Sequence, residues 1–395
     1  MRRTGRARWV AWLAAMATVA ASAGCGPTFG GDAERVAWHP APPPRESTCE
    51  AIAQRPGSDA FYESNRPYVD RGEIRPDPPR ATPASQGVDP ARLARAAAAL
   101  DGKPGVRSLL VLRNGRLVYE RYLHGGSRTQ SNNVHSASKG IIQALVGIAV
   151  AQGKVRSLDV PAAAYVPAEF PPSSPKRAIT LRQLLTMSSG LSWTEDSTEH
   201  SIGRTRDWVK AIIDRPYRPA GRFNYSTGNT HVLSAVLQAA TGMSTCAYAE
   251  RYLFGPAGIT PEHWGRDPRG VYSGGFNLFL TARELARFGQ LYLDGGRKGG
   301  RQVVPASTVR QAGAARFPDA GGAGFGYGSG WWVTRVNGHK VLLAWGWGGQ
   351  YVAVVPDLRM VVTTTQDTQG GGRRVDAREL DIRRFLGQYL VTRRA

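Results

Sequence analysis

The sequence predicts an α+β fold in which one antiparallel sheet is built from both ends of the folded region, with helices against it and a mostly helical region inserted at about residues 155–325. Three observations carry that reading. Near the start, the β-rich runs 108–113 and 116–122 are joined by Asn114-Gly115, the strongest short-range hairpin signal. Toward the end, runs 330–336, 339–345, 351–355 and 361–366 are β-rich, and Asn337-Gly338 joins the first two. Between the two groups the apolar residues recur at helical spacing, so strands at both ends must share a sheet around a helical insertion.

The elements follow in chain order. Arg2, Arg3, Arg6 and Arg8 form a positive leader, and residues 9–23 are an uncharged apolar stretch of 15 residues. That is short for a membrane-spanning helix and has the form of an export signal. It ends in Ser22-Ala23-Gly24-Cys25, similar to a bacterial lipobox with Ser22 in place of the usual Leu. Cys25 is therefore the expected lipidation site and membrane anchor, with cleavage after Ala21-Ser22-Ala23 as the alternative. The expected location is the cell envelope or outside the cell.

Residues 26–87, with Pro42-Pro43-Pro44 and Pro76, Pro78 and Pro79, read as a tether and wrapping segment. The main domain then runs over 88–395. Asp89 is placed to cap a helix with Pro90 at its first position, continuing to Leu100. At the far end, 376–390 has helical spacing with Leu380, Ile382, Phe385 and Leu390 on a core face.

Composition narrows the function. A chain of 395 residues, 42% hydrophobic and 21% charged, can bury one large core or two modest ones. Its net charge of +21 suits an acidic partner or reflects an arginine-rich composition; clustering in the leader and at the C-terminal end favours the second. No basic stripe with interleaved aromatics is present, so nucleic acid is not an expected partner. Of the three cysteines, Cys49 and Cys246 remain once Cys25 is assigned, and spacing leaves their pairing open. No CxxC or HExxH spacing supports a metal site.

The chemistry centres on Ser136-Ala137-Ser138-Lys139, which leads into the apolar run Ile141, Ile142, Leu145, Val146 and Ile148. A helix starting near Ser136 puts Lys139 on the same face, one turn later. Its N-terminus supplies free N–H groups and positive potential, which favour a developing oxyanion. Burial lowers a lysine pKa, and only the neutral amine can take a serine proton. Alone, SxxK is a weak signal, since a capping Ser followed by a solvated Lys has the same form.

Further landmarks occur in order. They are Ile179-Thr180-Leu181-Arg182-Gln183-Leu184-Leu185-Thr186-Met187-Ser188-Ser189-Gly190-Leu191, then Phe223-Asn224-Tyr225-Ser226-Thr227, Ser273-Gly274-Gly275-Phe276, and Trp345-Gly346-Trp347-Gly348-Gly349-Gln350-Tyr351. With SxxK, this series resembles the serine β-lactamases, penicillin-binding DD-peptidases, and related esterases and 6-aminohexanoate-dimer hydrolase-like amidases, from about Gln86 to the C-terminus. The resemblance implies a β-lactamase/transpeptidase-like fold and acyl-enzyme chemistry without a cofactor.

It also implies that Tyr225 passes protons beside Ser136 and Lys139, and that Thr227 stands where the family has a substrate-binding Asn. Trp347-Gly348-Gly349 would occupy the KTG or HxG positions on an edge strand against which substrate lies. The backbone N–H groups of Ser136 and Gln350 would form the oxyanion hole. Trp347 replaces a cation that would hold a β-lactam or D-Ala carboxylate, which points to a small ester or amide. A DD-peptidase or β-lactamase using the same residues, and a non-catalytic envelope binding module, are the alternatives.

Other candidates rank lower. His135 adjoins the nucleophile but points elsewhere on a helix, so it is assigned to packing or capping. Trp193, Glu195 and Asp196 are expected to line the pocket. The glycine-dense stretch 321–330 reads as a flexible loop, and no GxSxG elbow is present.

Overall fold

The computed structural model describes Cys49 and residues 77–393, apart from 196, 323, 370 and 371. The leader, Cys25 and most of the segment before 88 lie outside the described residues. Both Asn-Gly hairpins form. Strands β1 (Val106–Arg113) and β2 (Arg116–Tyr122) flank a turn with Asn114 at φ 53° and Gly115 at φ 75°. Their counterparts β10 (Trp332–Val336) and β11 (His339–Gly346) flank Asn337 at 50° and Gly338 at 86°. Positive φ at both central positions gives the turn whose twist matches the flanking strands.

With β12 (Gln350–Val355) and β13 (Met360–Gln366), and with β8 (Phe317–Gly322) and β9 (Phe325–Tyr327), these strands form one eight-stranded sheet in the order β2-β1-β13-β12-β11-β10-β9-β8. The two ends of the domain therefore meet at the β1–β13 ladder, where Leu110 faces Thr363. Residues 321–330, expected to be a loop, instead supply part of β8 and all of β9. Main-chain pairing across the sheet does not need the side chains that the glycines lack.

Alternation along the strands separates two cores. Leu110 and Leu112 of β1, with Val352 and Val354 of β12, face one cluster, while Leu109 and Val111, with Tyr351, Ala353 and Val355, face the other. The first core is closed by helix α2 (Ser138–Ala151), by the short α3 (Leu181–Leu185), by α4 (Thr227–Thr241) and by α5 (Ala282–Leu293). Helix α1 (Pro90–Asp101), capped by Asp89 accepting from the Ala91 N–H, covers the second. So do Leu380, Ile382, Phe385 and Leu390, as their spacing predicted.

The predicted helix 376–390 is nonetheless interrupted. A short helix α6 (Gly372–Asp376) stops, and α7 (Ile382–Phe385) restarts behind Asp381, which accepts from the Arg384 N–H. Among the smaller elements, β3 (Ser131–Asn133), β4 (His263–Trp264) and β5 (Leu278–Thr281) form a separate sheet, as do β6 (Arg297–Lys298) and β7 (Arg301–Gln302). A disulfide joins Cys49 to Cys246, 197 residues apart, which settles the pairing that spacing left open.

Candidate active site

Strand β3 leads into the turn that carries Ser136. The Asn133 side-chain oxygen accepts from the N–H of His135 and from that of Asn277, tying the end of β3 to the loop before β5. His135 then adopts φ 45°, a left-handed conformation uncommon outside glycine. The single turn His135–Ala137 follows and runs directly into α2. Ser136 is half-buried while every other residue from 131 to 146 is buried. The strained turn thus presents one side chain to the outside.

Lys139 lies one turn on and is 1% exposed. Its Nζ donates to Ser136 Oγ at 2.6 Å and to Thr227 Oγ1 at 2.8 Å. Space for the amine is made by the Ser273-Gly274-Gly275-Phe276 landmark, since a Cβ on Gly275 would lie 3.0 Å from Nζ. Desolvation is the main influence on Lys139 and holds its pKa down to about 8, with Glu195 opposing. At pH 7 a fraction on the order of one tenth is then neutral, against a few parts in ten thousand for an ordinary lysine.

Tyr225 precedes Ser226, the residue whose hydroxyl caps α4 by accepting from the Asn229 N–H. Its ring stacks on Trp332 at 5.4 Å, meets Tyr327 edge-on at 5.9 Å, and carries Lys139 Nζ 4.8 Å from its centroid. Burial, reinforced by Tyr327 and Glu195, pushes the phenol well above its ordinary pKa, although the neighbouring Ser136 hydroxyl works the other way. Tyr225 is therefore a neutral phenol, fit to hand on a proton rather than to act as a phenolate base.

Thr227 and Trp193 sit differently from the expectation. Thr227 is buried, with its hydroxyl accepting from Lys139 and donating to Glu195 Oε2 at 2.8 Å. It faces the lysine, not a substrate cleft, because α4 begins there and turns this side chain inward. Trp193 is likewise buried against the first turn of α4, where a Cβ on Gly228 would fall 2.5 Å from its ring. Its Nε1 donates to Glu195 Oε1 at 2.7 Å.

Glu195 is half-buried and also accepts from the Thr227 N–H at 2.8 Å. Desolvation raises its pKa, while Lys139, Thr227 and Trp193 all favour the carboxylate. It is thus an electrostatic partner of Lys139 reached through Thr227, a role no local pattern announced. Asp196 lies outside the described residues.

The Trp347-Gly348-Gly349 triplet does not lie on an edge strand. β11 ends at Gly346 and runs between β10 and β12, so the triplet is the turn joining β11 to β12. Gly348 and Gly349 have φ of 73° and 92°, and a Cβ on Gly349 would fall 1.6 Å from Gln366 Nε2. The glycines are required by the turn and by close packing on β13. The turn still borders the segment that leads into Ser136: a Cβ on Gly346 would lie 2.1 Å from the Val134 carbonyl oxygen.

The β10–β11 ladder ends at Trp332–Leu343, so residues 344–346 run past it, with Gly346 against Val134. Trp347 donates its indole N–H to Asp376 at 2.7 Å and meets His135 edge-on at 5.1 Å. His135, buried and near the Lys139 charge, has its pKa lowered to about 3 and stays neutral. Its place against Trp347 agrees with the packing role assigned to it. Gln350 spends its side chain on the main chain of Gln366, with Nε2 donating at 2.8 Å and Oε1 accepting at 3.2 Å.

The β-lactamase family model matches residues 91–384, which span the Ser136–Lys139–Tyr225 constellation and both halves of the sheet. The chain belongs to the β-lactamase family. Among curated relatives of this β-lactamase-family chain, the 6-aminohexanoate-dimer hydrolase of Paenarthrobacter ureafaciens is 28% identical over 263 residues, 58% of this chain. The match spans 64% of that relative's own length.

Solved structures show the same fold. A 6-aminohexanoate-dimer hydrolase-like protein from Bacillus anthracis superposes with a TM-score of 0.60 at 21% identity, covering 75% of this chain and 83% of its own. EstCE1, a hydrolase with promiscuous acyltransferase activity, gives 0.60 at 16% identity, covering 75% and 98%. A penicillin-binding protein homologue from Caulobacter crescentus gives 0.57 at 17% identity, covering 70% and 91%. These likenesses show a shared fold.

Proposed function

We propose that the protein hydrolyses a small ester or amide through an acyl-enzyme on Ser136. Neutral Lys139 takes the Ser136 proton as Oγ forms a bond to the substrate carbonyl carbon, and the N–H groups of Ser136 and Gln350 hold the oxyanion. As the tetrahedral intermediate collapses, the bond from carbon to the leaving oxygen or nitrogen breaks. The proton held by Lys139 returns through Tyr225 to that leaving atom. Water then attacks the ester on Ser136 by the same relay, releasing the acid and restoring the serine.

The observation that carries this reading is the 2.6 Å contact between a buried lysine and the one half-exposed side chain of the nucleophile turn. Trp347, with its indole engaged by Asp376, puts no cation where a substrate carboxylate would be held. That favours esters and neutral amides over β-lactams and D-Ala termini. The relationship to a 6-aminohexanoate-dimer hydrolase supports linear amides within the range. Export is part of the proposal, with Cys25 as lipid anchor; the disulfide suits an oxidising compartment.

The test is intact-mass analysis after mixing with a short-chain nitrophenyl ester, beside a panel of linear amides, D-Ala-D-Ala peptides and a chromogenic cephalosporin. An acyl adduct and ester turnover that vanish in Ser136→Ala are expected. Ester turnover unchanged in that variant overturns the mechanism, and faster cephalosporin hydrolysis moves the substrate class to β-lactams.

A further inference from the structure

The turn that presents the Gln350 N–H has two consecutive glycines at positive φ, so its own backbone is permissive. An oxyanion donor needs the opposite, since a displacement of about 1 Å costs roughly a hundredfold in rate. The restraint must come from outside the turn. Three side chains that bracket it are held by two carboxylates from one segment. Trp347 Nε1 donates to Asp376 Oδ1 at 2.7 Å, and Trp345 Nε1 and Tyr351 OH each donate to Glu379 Oε1 at 2.7 Å.

The same segment fills the space beside the turn, since a Cβ on Gly348 would meet Val375 Cγ1 and Thr368 Cγ2 at 2.7 Å each. From Trp347 the contact continues to His135, the residue before the nucleophile, at 5.1 Å between ring centroids.

We propose that Asp376 and Glu379, in the segment after β13, are positioning residues that lock the turn 347–350 and, through Trp347 and His135, set the oxyanion donor against Ser136. This rests on the assignment of Gln350 N–H to the oxyanion hole. It also accounts for the break in the helix expected over 376–390. Residues 377–381 leave the helical path where Glu379 reaches across to β11 and β12, and the helix restarts only behind Asp381.

The test compares Asp376→Ala, Trp347→Phe and their double mutant in ester hydrolysis, with Ser136→Ala as reference and thermal unfolding run on each protein. Asp376→Ala and Trp347→Phe should each lower kcat by roughly tenfold to a hundredfold, leaving KM within about threefold. The double mutant should be no worse than the poorer single. Asp376→Asn keeps an acceptor oxygen for the indole and should restore most of the lost kcat.

If Asp376→Ala does not fold, Trp347→Phe with its own kcat and KM decides the matter. Unchanged kcat in Trp347→Phe and Asp376→Ala, a change confined to KM, or additive losses in the double mutant overturns the positioning role while Ser136 remains essential. Activity that survives in Ser136→Ala instead overturns the underlying reading of the site.

Discussion

In the proposed mechanism Lys139 must shed its charge to act, yet it sits beside Glu195, which favours keeping that charge. Burial prevails, bringing the amine to about 8. Since only the neutral form accepts the Ser136 proton, activity should rise with pH through that value, and kcat/KM should show a basic group titrating near 8. Glu195→Gln removes the charge that raises Lys139, so the titration should move down by about one pH unit. A pH–rate profile measures this, and a shift upward would show that Glu195 does not act on Lys139. Ser136, Lys139 and Tyr225 were legible because the family motifs are local. Thr227 and Trp193, expected against substrate, are buried on Glu195, because a motif does not reveal which way a helix start turns its side chains, and Glu195 meets Thr227 only through the fold.

The elements that sequence placed well are those with local instructions. Both Asn-Gly turns carry the positive φ that pins their hairpins, and Asp89-Pro90 starts α1 as expected. Trp347-Gly348-Gly349 was legible as a landmark but not as a turn, since glycines at positive φ and glycines on a strand look alike in sequence. Gly349→Ala tests what the turn demands. A Cβ there would clash with Gln366 at a φ that L-residues avoid, so stability should fall by about 2 kcal/mol or more, and kcat with it. Urea unfolding beside ester kinetics checks both. Unchanged stability would mean that Gln366 moves aside without cost.

At the scale of the molecule, the eight-stranded sheet divides two cores, and Ser136 lies at the head of α2, between Val134 and Ala137 of the first core. Around it stand the β11–β12 turn, preceded by Gly346 against Val134, and the starts of α2 and α4, where Lys139 meets Thr227. The disulfide links Cys49, which precedes the domain in sequence, to Cys246, and both lie in the first core. Closing so long a loop limits the unfolded chain, so Cys246→Ser should lower stability by roughly 2–5 kcal/mol. Denaturant unfolding with and without reductant measures it; a wild-type protein indifferent to reductant would show that the link adds nothing.

The sequence by itself determined the α+β class, the hairpins and the Ser136–Lys139 segment at the head of a buried helix, because turn chemistry, strand alternation and SxxK act over a few residues. Tertiary structure alone decided the pairing of Cys49 with Cys246, the neutral state of Tyr225, the Glu195–Thr227–Lys139 relay and the bracing of Trp347 by Asp376. Each of these depends on burial and on contacts between distant residues, which exist only once the sheet has closed.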